Sequence, residues 1–300
     1  MSKTAKWVLG LALIFVLVFG LFLIVLFNWF LSGEVDESSS ISGEKLAVIE
    51  LQEPILNSEE VVRQFKKYRD NRSVKAIVFR VDSPGGGVAA SQEIYEEVKK
   101  TRESGKPVVV SMGSIAASGG YYVSCAANTI VANPGTLTGS IGVIFQFLHF
   151  DQLMKKIGVD ASTYKTGRFK DIGSPFRRPS GDEKAFFDQL LADVYDQFVT
   201  TVAEERKLAR RKVLQYADGR IFTGRQAYEY GFVDTLGTFE DAVAIAAALG
   251  GIEGKPRVVK ERKRKGFWRE LFGEAASELR SMRAEFLDQP IVQYRFVAPQ

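Results

Sequence analysis

Two side chains that often carry catalysis are nearly missing from this sequence: its 300 residues include one cysteine, Cys125, and one histidine, His149. A lone cysteine excludes an intrachain disulfide, and a lone histidine excludes a histidine-rich metal cage. Any Ser-His-Asp or Cys-His mechanism has to run through His149, because no other imidazole can serve as base. Excess charge is also scarce once it is placed along the chain. The net charge is +4, yet the stretch from Arg257 to Glu270 holds seven basic and two acidic residues, so the remainder carries −1. That balance argues against a basic nucleic-acid groove on the body of the protein. With 46% hydrophobic and 25% charged residues, the composition is that of a folded protein, and disordered or collagen-like readings fall.

Charge disappears altogether from Trp7 to Leu31, a run interrupted only by Gly10, Gly20 and Asn28. At about 1.5 Å per residue, a helix of this length crosses a hydrocarbon layer of about 30 Å with some tilt. The run is longer than the apolar core of a cleavable signal peptide and ends in Asn28-Trp29-Phe30-Leu31, without a small-x-small exit. An uncleaved single-pass anchor is expected. Lys3 and Lys6 precede it and Glu34, Asp36 and Glu37 follow, which places the N-terminus in the cytoplasm and the body outside it. The polar stretch that follows reads as a tether.

The body alternates element types. Strands are expected at Leu46–Leu51, Lys75–Val81, Pro107–Met112 and Ile141–Phe150, and helices at Ser58–Asp70, Ala89–Glu103 and Gly119–Ala127. A long amphipathic helix follows from Asp182 to Leu208, with Phe186, Leu190, Val194, Phe198 and Val202 spaced for one face. Shorter helices near Arg211–Tyr216, Gly224–Tyr230 and Glu240–Leu249 are expected over one side of the sheet. Strand, helix, strand, glycine turn, helix, strand is the order of an α/β layered fold with a largely parallel sheet.

The segment from Ser111 to Tyr122 passes from a strand through small residues into a helix, and Ser118 stands at the junction before Gly119. There a hydroxyl is exposed to the N–H groups of a helix start, and the glycine after it allows backbone donors to approach a developing oxyanion. Serine is also a favoured N-cap, and spacing alone leaves both roles open. The second glycine turn, Gly85-Gly86-Gly87, ends the neighbouring strand, so both turns open on the sheet edge where α/β sites form. It lacks a Walker lysine and a Gly-x-Gly-x-x-Gly register, and an oxyanion role suits it better than a phosphate cradle. A serine nucleophile needs a base. His149 lies in an alternating apolar stretch and reads as structural, whereas a desolvated lysine is neutral enough near pH 7 to accept a proton. The turn-rich stretch Tyr164–Pro175 offers Lys165 and Lys170, and chemistry alone does not choose between them. Cys125, one turn past Ser118, reads as a small buried filler.

Four segments in consistent order carry a resemblance: Asp82–Gly87, Ser111–Tyr122, Leu137–Val143 and Phe169–Ile172. Together, across residues 45–249, they resemble the signal peptide peptidase A family, membrane-anchored serine proteases of the Clp-protease/crotonase superfamily. The resemblance implies a Ser-Lys dyad, with Ser118 as nucleophile and Lys170, the position before Asp171-Ile172, as general base. It implies that Ser140 orients the lysine and that the backbone N–H groups of Gly85 and Gly119 form the oxyanion hole. It implies no metal or cofactor. It further implies octameric domes whose serine and lysine come from neighbouring protomers, so that Ser118 and Lys170 of one isolated chain stand too far apart to hydrogen-bond. Its substrates are remnant signal peptides and similar apolar peptides, cleaved at or near the membrane.

The expected organisation is a cytoplasmic N-terminus and anchor over residues 1–31, a tether over 32–44, a Clp-protease/crotonase-like domain over 45–252, and a basic, amphipathic tail over 253–300. A stripe of apolar residues from Phe267 to Leu287 suits the tail to anionic lipid headgroups. Two other readings share the architecture: a crotonase-like acyl-CoA enzyme and a non-catalytic membrane scaffold. The Ser118 motif and the anchor weigh against the first. Turnover that depends on Ser118 would exclude the second.

Overall fold

A computed structural model describes residues 3–31, 44–261 and 293–295 of the chain, in two units divided after Gly43. The first unit is helix α1 (Lys3–Leu31). Its window Gly10–Phe27 has a mean hydropathy of 3.1, long and apolar enough to cross a membrane. Trp7, Phe15, Leu17 and Phe27, on different faces of α1, are all exposed, as suits a helix able to cross a membrane. The tether and the amphipathic stripe at 267–287 lie outside the described residues.

The second unit opens with β1 (Lys45–Gln52), α2 (Glu59–Asp70), β2 (Val74–Ser83), the short β3 (Gly85–Gly87), α3 (Val88–Glu103) and β4 (Val108–Ala117). Next come α4 (Gly119–Ser124), β5 (Thr129–Ala132), β6 (Leu137–Gly139), α5 (Asp151–Lys156) and α6 (Gly181–Glu205). The unit continues through α7 (Arg210–Leu214), β7 (Ile221–Thr223), α8 (Gly224–Tyr230), β8 (Thr235–Leu236), α9 (Phe239–Leu249) and β9 (Arg257–Lys260), with β10 (Gln293–Arg295) near the end of the chain.

The main sheet runs β7-β6-β4-β2-β1-β9 and is parallel except where β7 meets β6. The outer edge of β4 is divided, its first half pairing with β5 and its last three residues with β6. Alternation along the strands sorts the core into two layers. Leu46, Val48, Ala76 and Val78 face α9, where Ala242, Val243, Ala246 and Ala247 cover them. Ile49, Ile77, Phe79 and Val81 face the other way, among Phe65 of α2, Ile94 of α3, Tyr121 of α4 and Phe198 of α6. The later helices therefore divide between both faces instead of sharing one side. Phe79 is fully buried and meets the Phe65 ring edge-on at 5.1 Å, joining sheet to helix. Phe79→Ala should lower stability by about 3–5 kcal/mol, read as a fall in the denaturant midpoint with an unchanged slope.

Two expected elements differ. The small residues after Met112 do not form a turn, because β4 continues through them to Ala117. Gly113 passes so close to Asp82 that a Cβ there would lie 2.4 Å from its Cγ, and the carboxylate accepts the Ile115 N–H at 3.1 Å. The segment Ile141–Phe150 forms no strand and holds a single bridge residue, Ile144. Of the long helix, Val194, Phe198 and Val202 are buried as the spacing predicts, while Phe186, in its N-terminal half, is exposed.

Candidate active site

The site begins where β2, β4 and β6 end together. Pairing of Ala117 with Gly139 sets Ser118 beside Ser140, and pairing of Ser83 with Ala116 brings the β2–β3 turn alongside. Ser118 caps α4 with φ 53° and ψ −116°, backbone that an L-residue rarely adopts. Its N–H is held by the Gly139 carbonyl at 2.8 Å. Its Oγ is buried and has no hydrogen-bond partner, a rare state for a hydroxyl. The side chain is thus aimed by the main chain and left free of other bonds, as a nucleophile awaiting a base requires.

The neighbours of Ser118 are held just as closely. Ser140 also has positive φ, 51°, and its N–H is taken by the Arg220 carbonyl at 2.8 Å. Gly85 sits at φ 96°, a conformation that glycine adopts without penalty, and its N–H reaches Ser83 Oγ at 3.2 Å. Ser83 Oγ in turn donates to the Glu53 carbonyl at 2.6 Å, pinning the turn. Gly120 brings α4 against the end of β2, since a Cβ there would stand 2.6 Å from the Ser83 carbonyl oxygen. Gly119, the first residue of α4, is buried next to Ser118 at a helix N-terminus, where backbone N–H groups lack intrahelical partners.

The sequence profile of peptidase family S49 matches residues 100–253, just over half of the chain. The chain belongs to peptidase family S49. The Clp protease profile matches residues 44–135, the segment that holds both glycine turns and Ser118. A protein of Synechocystis sp. named as a protease is 45% identical over 211 residues, covering 70% of this chain and 76% of that one. A protein of Enterococcus faecium named as a signal peptide peptidase SppA is 35% identical, with 78% and 68% covered. The chloroplastic serine protease SPPA of Arabidopsis thaliana is 37% identical over 65% of this chain and 29% of its own length. The profile and these relatives make the chain a serine peptidase of the S49 family, with an N-terminal helix suited to a membrane.

Within this S49 chain the two candidate lysines stand apart in their bonding. Lys165 is committed to the Asp171 carboxylate and donates to the Arg168 carbonyl at 3.1 Å. Lys170 lies exposed in a turn, its N–H directed at the Gly167 carbonyl at 3.5 Å, and among the described residues its ammonium holds no ion pair. Among the described residues Lys170 makes no hydrogen bond to Ser118, whose Oγ has no partner there. His149 is excluded from that oxygen by the same fact, and its own buried Nδ1 is unpaired. Cys125 is fully buried, and burial pushes its thiol up to about 12, which makes it inert beside Ser118. Among the described residues no group of three or more His, Cys, Asp or Glu side chains is placed to hold a metal ion.

Several contributors escape a reading of the sequence. Asp82 and Ser83 stand inside a recognised motif, yet their tasks, holding β4 and the glycine turn, appear only in three dimensions. The Arg220 carbonyl that fixes Ser140 carries no side-chain signal, because any residue supplies a carbonyl.

Proposed function

We propose that the chain is a membrane-anchored endopeptidase in which Ser118 attacks the scissile carbonyl and Lys170 of a neighbouring protomer takes its proton. The observation that carries this reading is the buried, unpartnered Ser118 Oγ on strained backbone at a helix start. In the proposed mechanism, the Gly119 N–H and the Gly85 N–H, turned from Ser83 Oγ when substrate binds, receive the oxyanion, Ser140 steadies the lysine amine, and water releases the acyl group. Assembly would bury Lys170 against the Ser118 of a neighbouring protomer.

Three features support peptide substrates and a second copy of the chain. The Gly85–Gly87 edge accepts an extended strand in antiparallel register, as its pairing with Gln293–Arg295 illustrates. Beside Ser140 a cavity of about 670 Å³ has apolar walls of Val143, Ile144, Leu191 and Ala192 with Asp188 and Asp218 among its lining, room for the apolar side chains of remnant signal peptides. Leu148, Leu153, Ile157, Tyr164 and Phe176, on either side of the Lys170 turn in sequence, are all exposed, apolar surface that the next protomer of a closed ring, an octamer in this reading, would cover. Helix α1 would anchor the assembly with its N-terminus in the cytoplasm.

The test is thiol crosslinking of the full chain carrying Ser118→Cys and Lys170→Cys, with inert Cys125 as a silent background. A short bifunctional reagent should yield covalent dimers and higher ladders. Crosslinks confined within single chains would overturn the shared site.

A further inference from the structure

The turn that presents Lys170 is tied to α6 chiefly through one guanidinium; another link to the body runs to the 141–150 segment, where the Phe150 N–H donates to the Pro175 carbonyl at 2.7 Å. Arg177 donates from Nε to Asp171 Oδ2 and from Nη2 to Oδ1, both at 2.8 Å, and from Nη2 to the Asp171 carbonyl at 3.3 Å. The same group reaches Glu183 in the first turn of α6, with Nη1 donating to Oε2 at 2.7 Å and Nη2 pairing with Oε1. Its remaining Nη1 proton goes to the Arg178 carbonyl at 3.2 Å. Every nitrogen of Arg177 is thereby used, and the two carboxylates it joins belong to the residue next to Lys170 and to the helix that packs on the core.

Both partners are built into the fold. Glu183 is buried and accepts the Ser180 N–H at 2.8 Å in a capping box that starts α6. Arg177, and after it that N–H, hold its carboxyl at about 2. Asp171 is held lower still, first by Arg177 and then by Lys165. Otherwise the turn has only weak ties to α6: a ring contact between Phe169 and Phe186 at 5.6 Å and an exposed pair between Arg168 and Asp182. Its own bonds, Lys170 to Gly167, Ile172 to Phe169 and Ser174 to Asp171, are local and cannot fix it to α6.

We infer that Arg177 is a positioning residue for the proton-accepting lysine, a clamp that locks the Lys170 turn onto the N-terminus of α6. The inference rests on the proposed role of Lys170. A planar fork is needed because two carboxylates on separate segments must be bridged at fixed angles, which a point charge on a flexible stem does not do. The cluster of Arg177 and Lys165 with Asp171 and Glu183 is electrically balanced, so it holds position without adding net charge beside the lysine.

The test uses the full-length assembled enzyme and a fluorogenic apolar peptide. Arg177→Ala should lower kcat by about 10–100-fold, the scale of a misplacement near 1 Å, with KM within about twofold and the oligomer intact. Arg177→Lys should remain impaired by about tenfold or more, and millimolar ethylguanidinium should restore kcat to Arg177→Ala but not to Lys170→Ala. Asp171→Asn, which keeps the shape of one partner, should lower kcat in the same way and add little to Arg177→Ala. Unchanged kcat in Arg177→Ala while Lys170→Ala is inactive would overturn the clamp. So would loss of the oligomer in both Arg177→Ala and Asp171→Asn, which would make Arg177 a folding residue. Full turnover in Lys170→Ala would remove the dyad itself and the clamp with it, an outcome distinct from the first two.

Discussion

Ser118→Ala should lower peptide turnover by about 10⁴-fold or more, the scale seen when a serine nucleophile is deleted. The loss should fall on kcat, since the oxyanion donors, the strand edge and the apolar cavity all remain to bind peptide. Stability should stay level or rise slightly, because the substitution removes a buried hydroxyl that has no hydrogen-bond partner. The pair of measurements is informative together: activity by single-turnover cleavage of a fluorogenic peptide, and stability by denaturant unfolding. A fluorophosphonate should label the parent enzyme and leave the variant unmodified. Turnover within tenfold of the parent would show that Ser118 only caps α4, and the scaffold reading would regain its place. Acyl-CoA chemistry predicts a different pattern, indifference to the fluorophosphonate.

The second large effect is a gain. Ser118→Ala and Lys170→Ala should each be inactive alone, but subunits mixed before assembly should recover activity. If each site draws serine from one protomer and lysine from the next, a Lys170→Ala chain still offers Ser118 to a neighbour whose Lys170 is intact. For equal, random mixing, about a quarter of the sites in a ring are complete, so activity should rise from background to about a quarter of the parent value. Mixing after assembly should restore activity only as fast as subunits exchange. Sites built within single chains give no recovery at any ratio, and that result would end the shared-site mechanism while leaving Ser118 as nucleophile.

Much of this was legible in the sequence because the decisive signals are local. The strand-to-helix junction at Ser118 shows in the run of small residues before Gly119, and the neighbouring turn shows in three consecutive glycines. Alternation in β1 and β2 located the layers, and helical spacing located α6. What stayed hidden depends on neighbours distant along the chain. The pairing of Ala117 with Gly139, which sets two serines side by side, arises from β6, three residues long and too short for any periodic pattern. The alternating stretch 141–150 carries a strand-like pattern yet forms no strand, because alternation marks a half-buried surface without naming a partner to pair with. Arg177 reads as one more surface cation until Asp171 and Glu183 are seen to converge on it. The exposed half of α6 breaks its own periodic expectation, with Phe186 exposed and meeting only the Phe169 turn and its neighbour Phe187 among the described aromatic rings.

The backbone at Ser118 has an evolutionary consequence. A side chain held at φ 53° and ψ −116° costs of order 1–3 kcal/mol that glycine would not incur. Under the proposed mechanism, drift toward a more heat-resistant protein runs, at this one position, directly toward a dead enzyme. Lineages that retain the serine must recover the deficit through the apolar layers on either side of the sheet, which ties the tolerance of the core to mutation to the demands of a single hydroxyl.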